Sequence, residues 1–456
     1  MKKINILIVL MIASLSIGCN TDDLDPALEQ NKDPRVSISK VDNLYALIKG
    51  AYSRMTGSGY YGRDLIVSNE VRTNNVFSNG NSGRFITEAG FNYSPTNTYF
   101  WDDAYRVISS ANLVINTDLT QLEGDQDFGK HLQGQAYALR ALAHFDLLKQ
   151  FGQQHVTGGT TPGGIPYVTT YRTSDSSQED LFPPRNTVEE VKTKIYEDLN
   201  SAFNLLEDTG EKNFFSKYAA KALEARVATY FGDWPRVITT AEDVINNTSF
   251  AIVPSADFVN SFASDGGNNI IFELEFSEAD NQGSNSLAYI YRGSSYGDIQ
   301  VIDDVLNLFE PTDVRGLGGI LGYEGSMLRN LGKYPDNQGY DNVAILRYEE
   351  LILNYAEALF ETGGDALTQL NKIPAERGAT LYAVASKENI LLERRKELMF
   401  EGFYYDDLLR TGSDIEKTSA QQNILTTIPY GDHRLSWAIP RSEMDANSNM
   451  IQNKGY

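Results

Sequence analysis

The sequence predicts a mainly α fold, a scaffold of tetratricopeptide-like helical hairpins that carries a loop-rich, irregular face. Three observations predict it. Apolar residues recur at helical spacing in several segments separated by loops. Residues 216–247 read as a helix-turn-helix of tetratricopeptide size. Two long stretches, 57–100 and 248–342, break this rhythm with Gly, Asn, Ser and Tyr, and long irregular segments inside a compact protein are usually functional.

The elements follow in chain order. Lys2 and Lys3 precede an apolar run from Ile4 to Gly18 that is too short to span a bilayer and has the size of a secretory core. It ends at Ser16-Ile17-Gly18-Cys19, where a bacterial lipoprotein would be cleaved and lipidated, and Cys19 is the chain's only cysteine. Ser16 stands where the usual lipobox has Leu, here shifted to Leu15. The reading is therefore a lipoprotein signal peptide over 1–18, a lipidated Cys19 with an acidic, polar tether over 19–39, and one domain over 40–456. In that domain Val41 to Met55 puts Leu44, Leu47, Ile48 and Tyr52 on one stripe, and Trp101 to Asn116 and His131 to Phe151 continue the pattern. Thr187-Val-Glu-Glu190 is a capping box opening a helix that runs towards Gly210. Ala219, Ala222, Ala225 and Ala228 place small side chains on the next helix, which Gly232-Asp-Trp-Pro235 breaks before Val237 to Asn246 resumes. A second such pair is expected from Val343 to a stop at Gly363-Gly364, and one long helix from Glu388 to Leu409. Within the irregular stretches, Ile270 to Phe276 reads as a strand.

Charge and composition narrow the function. Thirty-nine basic against 61 acidic residues give a formal charge of -22, which repels nucleic-acid phosphates and anionic membrane surfaces. One cysteine and four scattered histidines supply neither a disulfide framework nor a zinc site, and no cofactor or metal is expected. Glu123-Gly-Asp125-Gln-Asp127 lacks the ligand spacing of a calcium loop. Gly57-Ser-Gly59-Tyr-Tyr-Gly62 has the letters of a dinucleotide fingerprint but follows a helix where that motif needs a strand, so it reads as a turn. Gly293-Ser-Ser295-Tyr-Gly297 has the letters of a nucleophile elbow, with Leu287 to Arg292 readable as its strand and Ile299 to Phe309 as its helix. No second strand-helix alternation exists to build the parallel sheet it requires. Glu393, Glu397 and Glu401 beside Arg394 and Arg395 read as an ion network, Arg347, Glu350, Asn354 and Glu357 as structural polar groups, and His144 as a satisfied core histidine.

Four segments together carry a resemblance. They are Ala136 to Gly152; Leu346 to Leu359; Glu393-Arg-Arg-Lys-Glu397-Leu-Met-Phe-Glu401-Gly402 with Asp407-Leu-Leu-Arg410; and the tail with Ile439-Pro440-Arg-Ser-Glu443 and Asn449 to Tyr456. With the lipoprotein start they resemble the SusD/RagB group of Bacteroidetes outer-membrane lipoproteins over essentially the whole mature chain. The resemblance implies four tetratricopeptide-like hairpins under a loop-built face and a protein that is not an enzyme. It implies capture of an oligomeric nutrient, usually a glycan, at the cell surface, and a role as a hinged lid on a SusC-like TonB-dependent transporter. Some members of the group take peptides, which keeps oligopeptide uptake open as the alternative. Residues 294–315, with Phe309, Asp313 and Arg315, are similar to another stretch of the group, which weighs against the hydrolase reading.

None of these motifs is a ligand site, so site residues are argued from chemistry. Glycan capture needs flat rings to stack on sugar faces and amide, carboxylate or guanidinium groups for the hydroxyls. The irregular stretches offer Asn74, Asn75, Arg84, Tyr93 and Tyr99 from the first and Tyr289 and Tyr296 from the second. Trp101, Trp234 and Trp437 all have a helical or motif context and are expected to be structural.

Overall fold

The structure, a computed structural model, describes residues 38–456 apart from 174 and 294–295. Cys19, the signal segment and most of the tether lie outside the described residues, as do Ser294 and Ser295. The helices that form the scaffold and border the site are α1 (Val41–Met55), α2 (Asp64–Val71), α3 (Trp101–Ile115), α4 (Gln126–Phe151), α5 (Val188–Leu205), α6 (Lys217–Phe231), α7 (Trp234–Asn247), α8 (Tyr348–Thr362), α9 (Lys387–Leu398) and α10 (Tyr404–Arg410). From α3 to α9 each helix packs on the next, and α1 packs on α3 and α4, so the stack buries its faces in the manner of tetratricopeptide hairpins.

Local chemistry explains the hairpins. α4 is buried on nearly every side along its 26 residues, as its Ala- and Leu-rich sequence allows. In α6, Ala219, Ala222, Ala225 and Ala228 are all buried, and their small side chains let neighbouring helices approach closely. Gly232 closes α6 in the left-handed conformation at φ 69°, which costs a residue without Cβ little, and Pro235 in the first turn of α7 needs no amide partner there. At the start of α5 the Thr187 hydroxyl accepts from the Glu190 amide at 3.1 Å while the Glu190 carboxylate accepts from the Thr187 amide at 2.8 Å, the capping box the sequence announces.

Several expectations are corrected. α4 begins at Gln126 rather than His131, because the Asp125 carboxylate caps it by accepting from the Asp127 and Phe128 amides; the acidic run there serves a helix end. α5 stops at Leu205, short of Gly210. The second hairpin opens with a strand, Val343–Arg347, and its helix starts only at Tyr348, since that strand pairs antiparallel with Ile270–Leu274. The helix expected over 388–409 is two, α9 and α10. Phe400 at φ 72° and Gly402 at φ 84° break it, burying Phe400 and bringing the Gly402 amide to the Glu70 carboxylate at 2.8 Å. Leu287–Tyr291 is a short helix capped by Ser286, and Ile299–Val301 is a strand followed by a 3-10 turn at Asp303–Leu308, the reverse of a nucleophile elbow.

The strands labelled here are β1 (Val76–Ser78), β2 (Ile270–Leu274), β3 (Ile299–Val301), β4 (Leu321–Glu324), β5 (Met327–Asn330) and β6 (Val343–Arg347), paired antiparallel as β1–β3, β2–β6 and β4–β5. In the first pair Val76 faces Val301 and Ser78 faces Ile299, which ties the two irregular stretches together.

A charged cluster lies inside the fold. Arg315, Arg347 and Arg377 are each at most 2% exposed and converge on Glu397: Arg377 Nε at 2.9 Å, with Arg347 Nη1 and Arg315 Nη1 both at 3.2 Å. Glu349, Glu393, Glu401 and Asp313 complete it. Burial alone would raise Glu397, but Arg377, Arg347 and Arg315 outweigh it and hold it well below the usual carboxylate range. The interhelix ion network read from the sequence is therefore a buried one.

Candidate ligand-binding site

β1 and β3 deliver the two irregular stretches to one another, and the chain just beyond each strand is stitched across the gap. The Asn79 amide donates to Asp298 O at 2.8 Å, Asn79 Nδ2 to Gly297 O at 2.9 Å and Asn81 Nδ2 to Tyr296 O at 2.6 Å. Ser82 donates from both its amide and its hydroxyl to the Asp298 carboxylate, at 2.7 and 2.6 Å. This loop carries Arg84, whose guanidinium lies over the Tyr296 ring at 4.1 Å from its centroid.

Arg84 also lines an open cleft of about 140 Å³ with Arg63, Asp64, Glu88, Tyr99 and Trp437. Tyr99 sits at φ 48°, a left-handed backbone that favours glycine, and its ring stacks on Trp437 with centroids 4.1 Å apart and planes 19° from parallel. Trp437 is 1% exposed and therefore backs Tyr99 from inside. Its backbone is fixed by the chain's end: the Trp437 amide donates to Gln150 O at 2.8 Å, and Asn453 Nδ2 donates to Trp437 O at 2.6 Å and Phe151 O at 2.8 Å. On the other wall Arg63 Nε pairs with Asp64 at 2.6 Å and its Nη1 donates to Asn285 Oδ1 at 2.9 Å. Burial raises the carboxyls of Asp64 and Glu88, with Arg63 partly offsetting it at Asp64, and pushes the Tyr99 hydroxyl up to about 12. The result is a ring platform flanked by hydrogen-bonding groups of both signs.

Of the residues expected from sequence, Arg84 and Tyr99 meet in this cleft, and Tyr296 joins through Arg84. Tyr93 stands behind them, half-buried, edge-on to Tyr99 and Trp437 at 6.3 and 6.1 Å. Tyr289 is half-buried in the short helix, where its carbonyl accepts from the Gly297 amide at 3.1 Å, and it does not line the cleft. Asn74 Nδ2 donates to Thr418 at 3.3 Å at the loop's margin. Asn75 is a correction: it is fully buried, with Nδ2 on Glu70 at 3.3 Å and Oδ1 accepting from Arg395 at 2.8 Å, so it holds the loop and meets no solvent. Sequence reasoning missed Arg63, Asp64 and Glu88, which no motif marks. It read Trp437 as structural; its burial agrees, yet it is also the floor under Tyr99.

The fold presents a larger cleft of about 300 Å³ along α3, lined by Trp101, Tyr105, Arg106, Arg172 and Glu443. Trp101 is 2% exposed at its base, half-buried Tyr105 is tied through its hydroxyl to Pro166 O at 2.8 Å, and none of the expected residues reaches it. His144, between α3 and the 166–168 segment, is fully buried: Nδ1 donates to Arg140 O at 2.9 Å and Nε2 accepts from the Val168 amide at 3.0 Å, and burial holds it neutral. It is the satisfied core histidine expected.

Stacked helical hairpins that present a loop-built cleft over an aromatic floor define a helical-repeat binding scaffold. Residues 214–456 match the profile described as the SusD family, and residues 23–229 the profile described as starch-binding associating with outer membrane. The chain belongs to the SusD family. It is 24% identical over 429 residues to a SusD-like protein of Formosa agariphila, covering 80% of each chain. A solved putative sugar binding protein of Bacteroides vulgatus superposes with a TM-score of 0.83 at 28% identity, covering 92% of this chain and 99% of that one. A laminarin binding SusD-like protein shares the fold, with a TM-score of 0.73 at 20% identity over 92% of this chain and 100% of its own. Among the described residues no helix is long and apolar enough to cross a membrane.

Proposed function

We propose that this chain is a non-enzymatic cell-surface lipoprotein, anchored through Cys19, that captures an oligosaccharide in the Tyr99 cleft and passes it to a SusC-like TonB-dependent transporter on which it sits as a lid. The observation that carries the reading is the Tyr99 ring stacked on buried Trp437 at the edge of a cleft whose walls are Arg63, Asp64, Arg84 and Glu88. A backed ring cannot turn aside, so a sugar face stacked on it gains contact without ordering a loose side chain. The carboxylates accept from hydroxyls and the guanidiniums donate to them. The family's description and the sugar-binding name of the 28% identical structure support a carbohydrate ligand. Closure onto the transporter follows if the ligand makes contacts only in the closed state, because a ligand shifts an equilibrium only by its differential affinity.

Calorimetric titration of the protein with a panel of plant, fungal and host oligosaccharides, and separately with mixed peptides, tests the binding step. Saturable glycan binding that Tyr99→Ala weakens by about tenfold or more supports it. Peptide binding indifferent to sugar competitors would replace it with oligopeptide uptake. Purification from native outer membranes without an associated transporter would remove the delivery step.

A further inference from the structure

The state of Arg84 narrows the ligand, on the premise that the Tyr99 cleft binds a glycan. Its guanidinium lies over the Tyr296 ring, 4.1 Å from the centroid, so that ring face is already occupied and Tyr296 is no free stacking platform for a sugar. Its hydrogen bonds go to neutral partners: Nη1 donates to the Ser82 hydroxyl at 2.8 Å and Nη2 to Asn285 Oδ1 at 3.4 Å. The Ser82 hydroxyl spends its own proton on Asp298, which is what leaves its lone pair for Arg84. No carboxylate pairs with Arg84 among the described residues. Its neighbour Arg63, by contrast, is in direct contact with Asp64 at 2.6 Å, a carboxylate whose charge Arg84 feels only from further off. In a chain of net charge -22, the cleft therefore holds one guanidinium that is oriented and makes no direct ion pair, with Asp64 and Glu88 on the same walls acting on it only across the cleft.

Stacking on an aromatic face fixes the plane of a guanidinium while leaving its N–H edges free, and those edges match a planar or tetrahedral oxyanion in bidentate fashion. We infer that the cleft selects oligosaccharides bearing an oxyanion, a uronate carboxylate or a sulfate ester, which pairs with Arg84 on its Tyr296 backing while a neighbouring sugar ring stacks on Tyr99. Tyr296 acts here as a positioning residue that holds Arg84 rather than as a platform. The acidic surface of the chain opposes anion approach at long range, so the selectivity is a short-range one that salt weakens by screening Arg84 itself.

The test is calorimetry of the protein against two matched pairs: tetragalacturonate with its carboxyl-reduced counterpart, and a sulfated galactotetraose with its desulfated form. The expected result is at least one anionic member binding about tenfold tighter than its neutral partner, as a charge-assisted hydrogen bond allows. That ratio should fall towards one in Arg84→Gln, recover partly in Arg84→Lys, and shrink in Tyr296→Ala, which keeps the charge but frees its orientation. Which pair shows the effect separates carboxylate from sulfate. Equal binding of both members of both pairs by the unsubstituted protein overturns the inference and leaves glycan capture standing, whatever the variants do. Binding of none of the four overturns it together with the glycan reading of the cleft.

Discussion

Glu70 and Glu357 are buried carboxylates that burial alone would raise, and their partners decide opposite outcomes. Around Glu70 the Gly402 amide, Asn75 and a distant Lys333 do not offset desolvation, and its pKa stands at about 7. Such a group binds its proton more readily folded than unfolded. Its contribution to stability is full below about pH 4.5 and is lost as pH rises through 7. Glu70→Gln should therefore reduce the fall in thermal midpoint between pH 5 and pH 8, read against the unsubstituted protein; an unchanged slope would refute the assignment. At Glu357, bidentate Arg410 with both bonds at 2.7 Å, helped by Arg394 and Lys387, outweighs burial and holds the carboxyl down to about 2. Its contribution is present above about pH 4.5 and disappears as pH falls through 2. Because Arg410 is 4% exposed, Glu357→Gln leaves a buried cation half-paired, and urea unfolding at pH 7 should show a loss of about 3–5 kcal/mol. None of this was legible in the sequence beyond residue type, since Glu357 and Glu70 differ only in what distant segments bring to them.

At the scale of elements, legibility followed how locally each element is specified. The start of α5 and the α6–α7 turn carry their signals in adjacent residues, Thr187 with Glu190 and Gly232 with Pro235, and both stand where the sequence puts them. The run 287–309 was misread because β3 is a strand only by virtue of β1, a partner far away in sequence. The long helix over 388–409 fails for the same kind of reason: its break is imposed by the burial of Phe400 and the docking of Gly402 on α2. A Cβ at residue 402 would stand 3.2 Å from Ile66 Cα and occupy φ 84°, so Gly402→Ala is strained on both counts. It should lower the thermal midpoint by several degrees, whereas Gly210→Ala, also at positive φ but with open space around it, should cost less; equal effects would show that docking on α2 contributes nothing.

For the whole molecule, the site is assembled from parts of the chain that no local pattern connects. Tyr99 is ordered by Trp437, Trp437 by Gln150 at the end of α4, and the tail by Asn453, whose amide nitrogen donates to Phe151 O, Trp437 O and the Ser436 hydroxyl while its oxygen accepts from Arg185 at 2.7 Å. Residues from α4, the segment before α5 and the C-terminus thus converge on one amide beneath the proposed platform, Tyr99 on Trp437. The sequence singled out Tyr99 and Arg84, which line one cleft, because ring and guanidinium chemistry is visible residue by residue; it hid the floor, because that depends on closure of the entire scaffold. This makes a joint prediction. Asn453→Ala removes several buried hydrogen bonds and leaves Arg185 with one partner fewer, so stability should fall by about 1–3 kcal/mol, and ligand affinity should fall with it as Trp437 loosens under Tyr99. Ser386→Ala, which removes the α9 cap at a cost of about 1 kcal/mol, lies outside this chain of contacts and should leave affinity unchanged. Measured side by side by urea unfolding and calorimetry, a loss of affinity in both variants would mean that binding tracks global stability, and a loss in neither would mean that Tyr99 holds its place without the tail. Only the split outcome places the ligand platform on the clamp that Asn453 closes.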